Sequence, residues 1–264
     1  MKRWMMILLA ACLLCPAAAL AQQPEWDYPL SPEILNNVQG YITLANRENL
    51  LDEDYVPQDL VNVKIRHVVD DPVRKAAYEA LEKMFAAAEE AGYKLYVKSG
   101  YRSYQTQHTM YFNRLEKNNG KDDGWVSYPG ASDHQTGLGV DVLNYEWTKK
   151  DGMNEKFAYE AEAKWMAEHC WEYGFIIRYM EDKEDITGIN YEPWHLRYVG
   201  VEVARYIQEK HYCLEEFTAE WQQYLADYEA AGGDFQQLLK DRARLVPVVI
   251  GYSEDGEEEI SIFH

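Results

Sequence analysis

The stretch Ala131-Ser-Asp-His-Gln-Thr-Gly-Leu-Gly-Val-Asp141 constrains this chain more than any other. It is short and glycine-rich, with a histidine and a carboxylate toward its two ends. His134 offers an imidazole nitrogen and Asp141 a hard oxygen, two ligand types that zinc accepts. Their odd sequence separation would point them to opposite faces of a straight strand. Gly137 and Gly139 free the backbone between them, so a turn can aim both groups at one point. Two ligands leave a catalytic zinc site incomplete, because such a site takes three from the protein and keeps one position for water. A later segment, Tyr191-Glu-Pro-Trp-His-Leu-Arg-Tyr-Val-Gly200, supplies a third. There His195 completes a His/Asp/His set, and Glu192 precedes it by three residues. Pro193 denies Glu192 a helical setting. The pattern is therefore not the helix-borne His-Glu-x-x-His arrangement of other zinc peptidases.

Taken together, Ser132-x-His134-x-x-Gly137-x-x-x-Asp141 and Glu192-Pro-Trp-His195 resemble the zinc D-alanyl-D-alanine carboxypeptidases of the VanY type. That family also carries a Ser-Gly-Tyr-Arg-Ser segment, and Ser99-Gly-Tyr-Arg-Ser103 stands upstream here, followed by Gln107. Three separated motifs in the right order are far more specific than any one alone. The resemblance spans roughly residues 49–216 and implies an α+β fold of the hedgehog/D,D-peptidase group, a small antiparallel sheet with helices packed on it. It implies one zinc ion per chain on His134, Asp141 and His195, with Glu192 as general base. It also puts Ser132, Gln107 and Tyr179 around a bound peptide. Tyr179 lies in a Gly-Phe-x-x-Arg-Tyr pattern where Met180 replaces the family's proline, and Gly139 stands where alanine is common.

The N-terminus reads as an export signal. Lys2 and Arg3 precede an apolar run from Trp4 to Leu14, and Ala19-Leu-Ala21 is a small-x-small cleavage site. The apolar run is too short for a comfortable bilayer crossing, so no transmembrane segment is expected after cleavage. Leu9-Ala-Ala-Cys12 resembles a lipobox and keeps lipid anchoring at Cys12 as the alternative. Residues 22–48 read as an irregular lead-in, 49–216 as the catalytic domain and 217–264 as an extension. The formal net charge is −19, and it grows more negative once Lys2 and Arg3 leave. So acidic a chain is unsuited to nucleic acid, whose binding depends on phosphate neutralisation. The expected partner is a peptidoglycan stem peptide, bound by a monomer outside the cytoplasm. Of four cysteines, Cys12 and Cys15 leave with the signal. Cys170 and Cys213 remain, either as a disulfide or as two buried thiols.

Several elements are legible. Asp71-Pro72 has the look of a helix start, and Val73, Ala77, Leu81, Met84, Phe85 and Ala88 then form one apolar stripe that Gly92 ends. Lys94 to Lys98 reads as a strand, and a helix follows over 104–117. Val140 to Leu143 reads as a buried strand, 157–173 as a helix, and Phe175 to Tyr179 as another strand. Residues 118–130 form a polar loop, a lid or a mobile connector. Helices are expected over 201–210 and 214–228, and a terminal hairpin around Ser253-Glu-Asp-Gly256. His169, alone on its helix, reads as structural.

Arg102 sits where a strand turns into a helix, and its guanidinium fork matches a carboxylate. A peptidase acting at a peptide's C-terminus needs such a group, whereas an endopeptidase has no terminal carboxylate to clamp. The favoured activity is removal of a C-terminal D-alanine from stem peptides, with D,D- and L,D-specificity both open. A zinc-containing wall-binding module is the alternative from another class, and such a module has no need of Glu192.

Overall fold

A computed structural model of the chain describes residues 23–245, 249–252 and 258–261. The export-signal reading and the turn of the terminal hairpin fall outside them. Two compact units emerge, residues 28–225 and a smaller one formed by 23–27 with the described residues from 226 onward.

The larger unit is organised around a four-stranded sheet, β3 (Leu95–Ser99), β4 (Gly139–Asn144), β6 (His195–Tyr198) and β5 (Phe175–Ile177), in that spatial order and antiparallel throughout. It is preceded by α1 (Pro32–Leu35) and a two-residue pairing of β1 (Leu60–Val61) with β2 (Val73–Arg74). Alternation along the strands sorts the side chains. Leu95, Val97, Val140, Val142, Phe175 and Leu196 join one core with Ala77, Leu81, Met84, Phe85 and Ala88 of α2 (Lys75–Glu90). Asp141 and His195 fall between these apolar positions.

The apolar stripe of α2 is buried as expected, but the helix start differs. Val73 and Arg74 are strand residues, and α2 begins at Lys75. Asp71 caps nothing there. Its carboxylate instead accepts from the backbone N–H of Gly100 at 3.2 Å, pinning the turn after β3. A Cβ on Gly100 would lie 2.7 Å from the Pro72 carbonyl oxygen, so only glycine fits this approach.

Helix α3 (Tyr104–Lys117) starts on a Ser103 side-chain cap to the Thr106 N–H. Short helix α4 (Tyr145–Thr148) follows β4. The helix expected over 157–173 is three pieces: two 3-10 segments flank α5 (Ala161–His169). Its end turns at Gly174, whose φ of 83° suits glycine. After β5 come α6 (Glu184–Thr187), then α7 (Val201–Lys210) beyond β6, and α8 (Leu214–Ala230). His169 lies at the surface against Glu172 at 2.8 Å. Cys170 and Cys213 are both free and buried, so the thiol alternative holds. Burial pushes both thiols up to about 12.

From Tyr28 onward the lead-in is part of the larger unit, with Tyr28, Leu30, Leu35, Ile42 and Ala45 buried. The 118–130 loop is tied down along its second half. Asn190 donates from its backbone to the Gly124 carbonyl at 3.0 Å and from its side chain to that of Asp123 at 2.8 Å. Trp125 stacks on Trp194. In the smaller unit, Trp26 packs against Tyr228 and Phe235. Helix α9 (Phe235–Leu245), which the sequence reading missed, precedes the antiparallel pair β7 (Val249–Tyr252) and β8 (Glu258–Ser261).

Candidate metal centre

Cross-strand register brings the candidate ligands together. Asp141 on β4 is paired directly with His195 on β6 and, on its other side, with Ser99 at the end of β3. Directly opposed residues project on the same face, so two strands suffice to juxtapose a carboxylate and an imidazole. His134 arrives by a different route. It lies on a 3-10 turn (Asp133–Thr136) that Gly137 reverses at φ 67°, returning the chain into β4. Gly139 lets that turn lie flat on the strand, since a Cβ there would stand 2.8 Å from the Asp133 carbonyl carbon and 3.0 Å from the His134 nitrogen. The departure at Gly139 therefore bears on the ligand segment, although it supplies no ligand itself.

One donor atom from each of His134, Asp141 and His195 lies within 4.8 Å of the others, and all three residues are buried. The His134 Nδ1–H donates to the Gly100 carbonyl at 2.7 Å, which leaves Nε2 facing Asp141 Oδ2 at 3.4 Å. His195 presents Nδ1 to Asp141 Oδ1 at 2.8 Å. Burial lowers the basicity of His134, and nearby Arg102 adds to this. Burial alone would raise the Asp141 carboxyl, but its two histidine neighbours hold it well below the usual range. Both shifts favour the deprotonated forms that a metal needs. Two imidazoles and a carboxylate, with no fourth protein ligand among the described residues, fit a catalytic zinc ion.

Glu192 lies in the turn before β6, its Oε2 3.9 Å from His195 Nδ1 and its side chain 12% exposed. Burial, then the Asp141 charge, raise its carboxyl well above the ordinary value, against the pull of Arg102. Arg102 reaches the site from the β3–α3 turn. Its backbone N–H donates to the His134 carbonyl at 3.1 Å. Its guanidinium donates to Gln107 Oε1 at 2.8 Å and Ser99 Oγ at 3.2 Å. Gln107 is buried, and its amide nitrogen donates to the Ser127 carbonyl at 2.7 Å. Both ends of that amide are thus engaged within the protein, and Gln107 meets the site through Arg102. Ser132 is buried next to the ligand turn. Tyr179 is buried as well, with its ring centroid 5.1 Å from that of His195.

Beneath the ligands lies an ionic cluster that the sequence reading did not single out. Asp133 is completely buried and takes Arg178 Nε on Oδ2 at 2.7 Å and Arg197 on Oδ1. Arg178 makes a two-pronged bond to Glu215 of α8 at 2.7 and 2.8 Å. Arg197 donates to the carbonyls of Tyr41 and Thr43 in the lead-in. The signal was present, because two arginines flank the strand motifs and an aspartate adjoins His134, but charged residues read as solvated until burial is known.

A small antiparallel sheet that carries a buried His/Asp/His set, with a glutamate beside it, belongs to the class of zinc metallopeptidases. Comparison with known proteins narrows the class. The VanY model, described as D-alanyl-D-alanine carboxypeptidase, matches residues 70–201, and the chain belongs to that family. It is 40% identical over 193 residues to the putative carboxypeptidase YodJ of Bacillus subtilis (strain 168), covering 70% of this chain and 69% of that protein. Among solved structures, the LdcB LD-carboxypeptidase superposes with a TM-score of 0.62 at 41% identity, over 67% of this chain and 84% of LdcB. The D,D-pentapeptidase VanY of a VanB-type vancomycin resistance cassette, solved with Zn(II), gives a TM-score of 0.56 at 31% identity, over 67% of this chain and 98% of that one.

Proposed function

We propose that this enzyme removes the C-terminal D-alanine from peptidoglycan stem peptides, outside the cytoplasm, with His134, Asp141 and His195 as its zinc ligands. The observation that carries the proposal is Glu192 beside the buried His/Asp/His set, its carboxylate 3.9 Å from Nδ1 of His195. A zinc ion held there would supply Lewis acidity, polarising the scissile carbonyl and lowering the pKa of its bound water to about 7. Glu192 takes the proton of the attacking water and passes it to the leaving amine. Its raised proton affinity suits that double duty, since a base that is too weak does not pull the proton away. Arg102 receives the terminal carboxylate of the substrate or the developing oxyanion. Gln107 and Ser99 fix the direction of its fork. Tyr179 and Ser132 border the peptide. Among the described residues no helix is long and apolar enough to cross a membrane. Export rests on the N-terminal Lys2 to Ala21 pattern.

Both specificities stay within the proposal, because the relatives include an LD-carboxypeptidase and a D,D-pentapeptidase. Digestion of a defined pentapeptide stem and a tetrapeptide stem, with products weighed by mass spectrometry, tests it. Loss of one D-alanine from either is expected, and depends on zinc. Cleavage only inside the stem, or none of either peptide by zinc-loaded protein, refutes it.

A further inference from the structure

His195 has two nitrogens with different surroundings. Nδ1 faces the ligand cluster, 2.8 Å from Asp141 Oδ1 and 3.9 Å from Glu192 Oε2. Nε2 points the other way, is buried, and has no hydrogen-bond partner among the described residues. It faces Asp133 Oδ2 at 4.0 Å. An orphaned buried ring nitrogen opposite a buried carboxylate calls for an explanation.

The carboxylate is unusually well held. Arg178 and Arg197 grip its two oxygens, Glu215 anchors Arg178 from the other side, and the backbone of Tyr41 and Thr43 anchors Arg197. Asp133, Arg178 and Arg197 are each fully buried, so none of them meets a substrate. Ordinary stability is a weak reason for such a cluster, because desolvating charges costs about as much as pairing them returns.

We infer that Asp133 is a positioning residue for the metal centre, orienting His195 from behind. This rests on the proposed ligand role of His195. A neutral imidazole carries one proton, and Nδ1 can give its lone pair to a metal only if that proton is on Nε2. Asp133 favours the proton there and sets the rotation of the ring. Ligating histidines commonly present their second N–H to a carboxylate or a carbonyl. His134 already follows this rule with the Gly100 carbonyl at 2.7 Å. The two imidazoles are then mirror cases: His134 offers Nε2 with Nδ1–H held behind it, and His195 offers Nδ1 with Nε2–H held behind it. At 4.0 Å the Asp133 pair is a charge–dipole contact, and a shift of about 1 Å converts it to a hydrogen bond.

Two measurements test the inference. In zinc-loaded wild type, long-range proton–nitrogen NMR on labelled histidine should find the His195 proton on Nε2 and slow to exchange. A proton on Nδ1 overturns the inference. Secondly, Asp133→Asn should bind zinc roughly 10- to 100-fold more weakly in chelator competition, the usual cost of losing such a support. Wild-type affinity in the folded variant overturns it, because a carboxylate serving only the two arginines would alter melting and leave zinc affinity alone. If Asp133→Asn does not fold, Asp133→Glu keeps the charge for the arginines while displacing the oxygens. Weakened zinc affinity is expected there too, and unchanged affinity counts against the inference. Zinc retained by His195→Ala would instead sink the underlying ligand assignment.

Discussion

The proposed metal ligands and the residues proposed to do the chemistry are held by different means. His134, Asp141 and His195 have side chains no more than 6% exposed, and two of them are fixed by strand register. Glu192, its side chain 12% exposed, and the half-buried Arg102 sit on turns at the ends of strands. The difference follows from what each group must do. A ligand set has to stay in place through the reaction, and a hydrogen-bonded sheet gives that rigidity. A base and a carboxylate clamp must meet a substrate that comes and goes, so they belong on connecting segments supported by a scaffold. Support is still provided, by Pro193 and the hydrogen-bonded turn before β6 for Glu192, and by Gln107 and Ser99 for Arg102.

If that division is right, mutations on its two sides fail differently. The largest effect is expected at the ligands. His134→Ala, Asp141→Ala or His195→Ala should lose both zinc and turnover, with a deficit in zinc affinity beyond the roughly 10–100-fold that a supporting residue costs. Elemental analysis and chelator competition measure it, and one tightly bound zinc per wild-type chain is the reference. Next comes Glu192→Ala, which should keep its zinc and lose about 10²–10⁴ in rate. Substantial turnover in that variant would remove Glu192 from the mechanism. The two results together separate holding from reacting, and a variant that lost zinc at Glu192 would blur the division.

Arg102→Ala is expected to cost about 1.5–3 kcal/mol of transition-state binding, or roughly ten- to more than a hundredfold in kcat/KM. Arg102→Lys should not restore it fully, since an ammonium is a point charge and not a fork. Comparing a substrate with a free C-terminal carboxylate and its amide sharpens the assignment. Wild type should discriminate strongly and Arg102→Ala weakly. Equal loss on both substrates would move Arg102 to the oxyanion. The smallest effect belongs to Gly139→Ala, on the rigid side. Its new Cβ meets backbone atoms of Asp133 and His134 at 2.8–3.0 Å, so the ligand turn must shift at a cost of about 1–3 kcal/mol of stability. A melting temperature and zinc affinity equal to wild type would show that the turn yields freely.

Much of the site was legible because its residues come in motifs whose spacing has a local cause. Gly137 and Gly139 announced a reversal between His134 and Asp141, and the reversal is there. Helices α3 and α7 have the expected bounds, because their apolar periodicity and end signals agree. The start of α2 was misread. Asp71-Pro72 carries the local signature of a helix cap, but pairing with β1 claimed Val73 and Arg74 first, a tertiary preference overriding a local one. The division of the 157–173 region into three pieces leaves no marker in its periodicity, so the sequence reads as one helix.

The sequence by itself determined which chemistry is available: two imidazoles, a carboxylate, a glutamate and an arginine, in three separated motifs. It also determined that they lie on short strands and turns, since glycine and proline act on the backbone locally. Only the tertiary structure decided which nitrogen each histidine presents, because that depends on the Gly100 carbonyl behind one ring and Asp133 behind the other. It alone converted Asp133, Arg178, Arg197 and Glu215 from solvated charges into a buried cluster. A residue type fixes what a group can donate or accept, whereas burial and the direction of its partners come from segments far away in the chain, brought together only when the core closes.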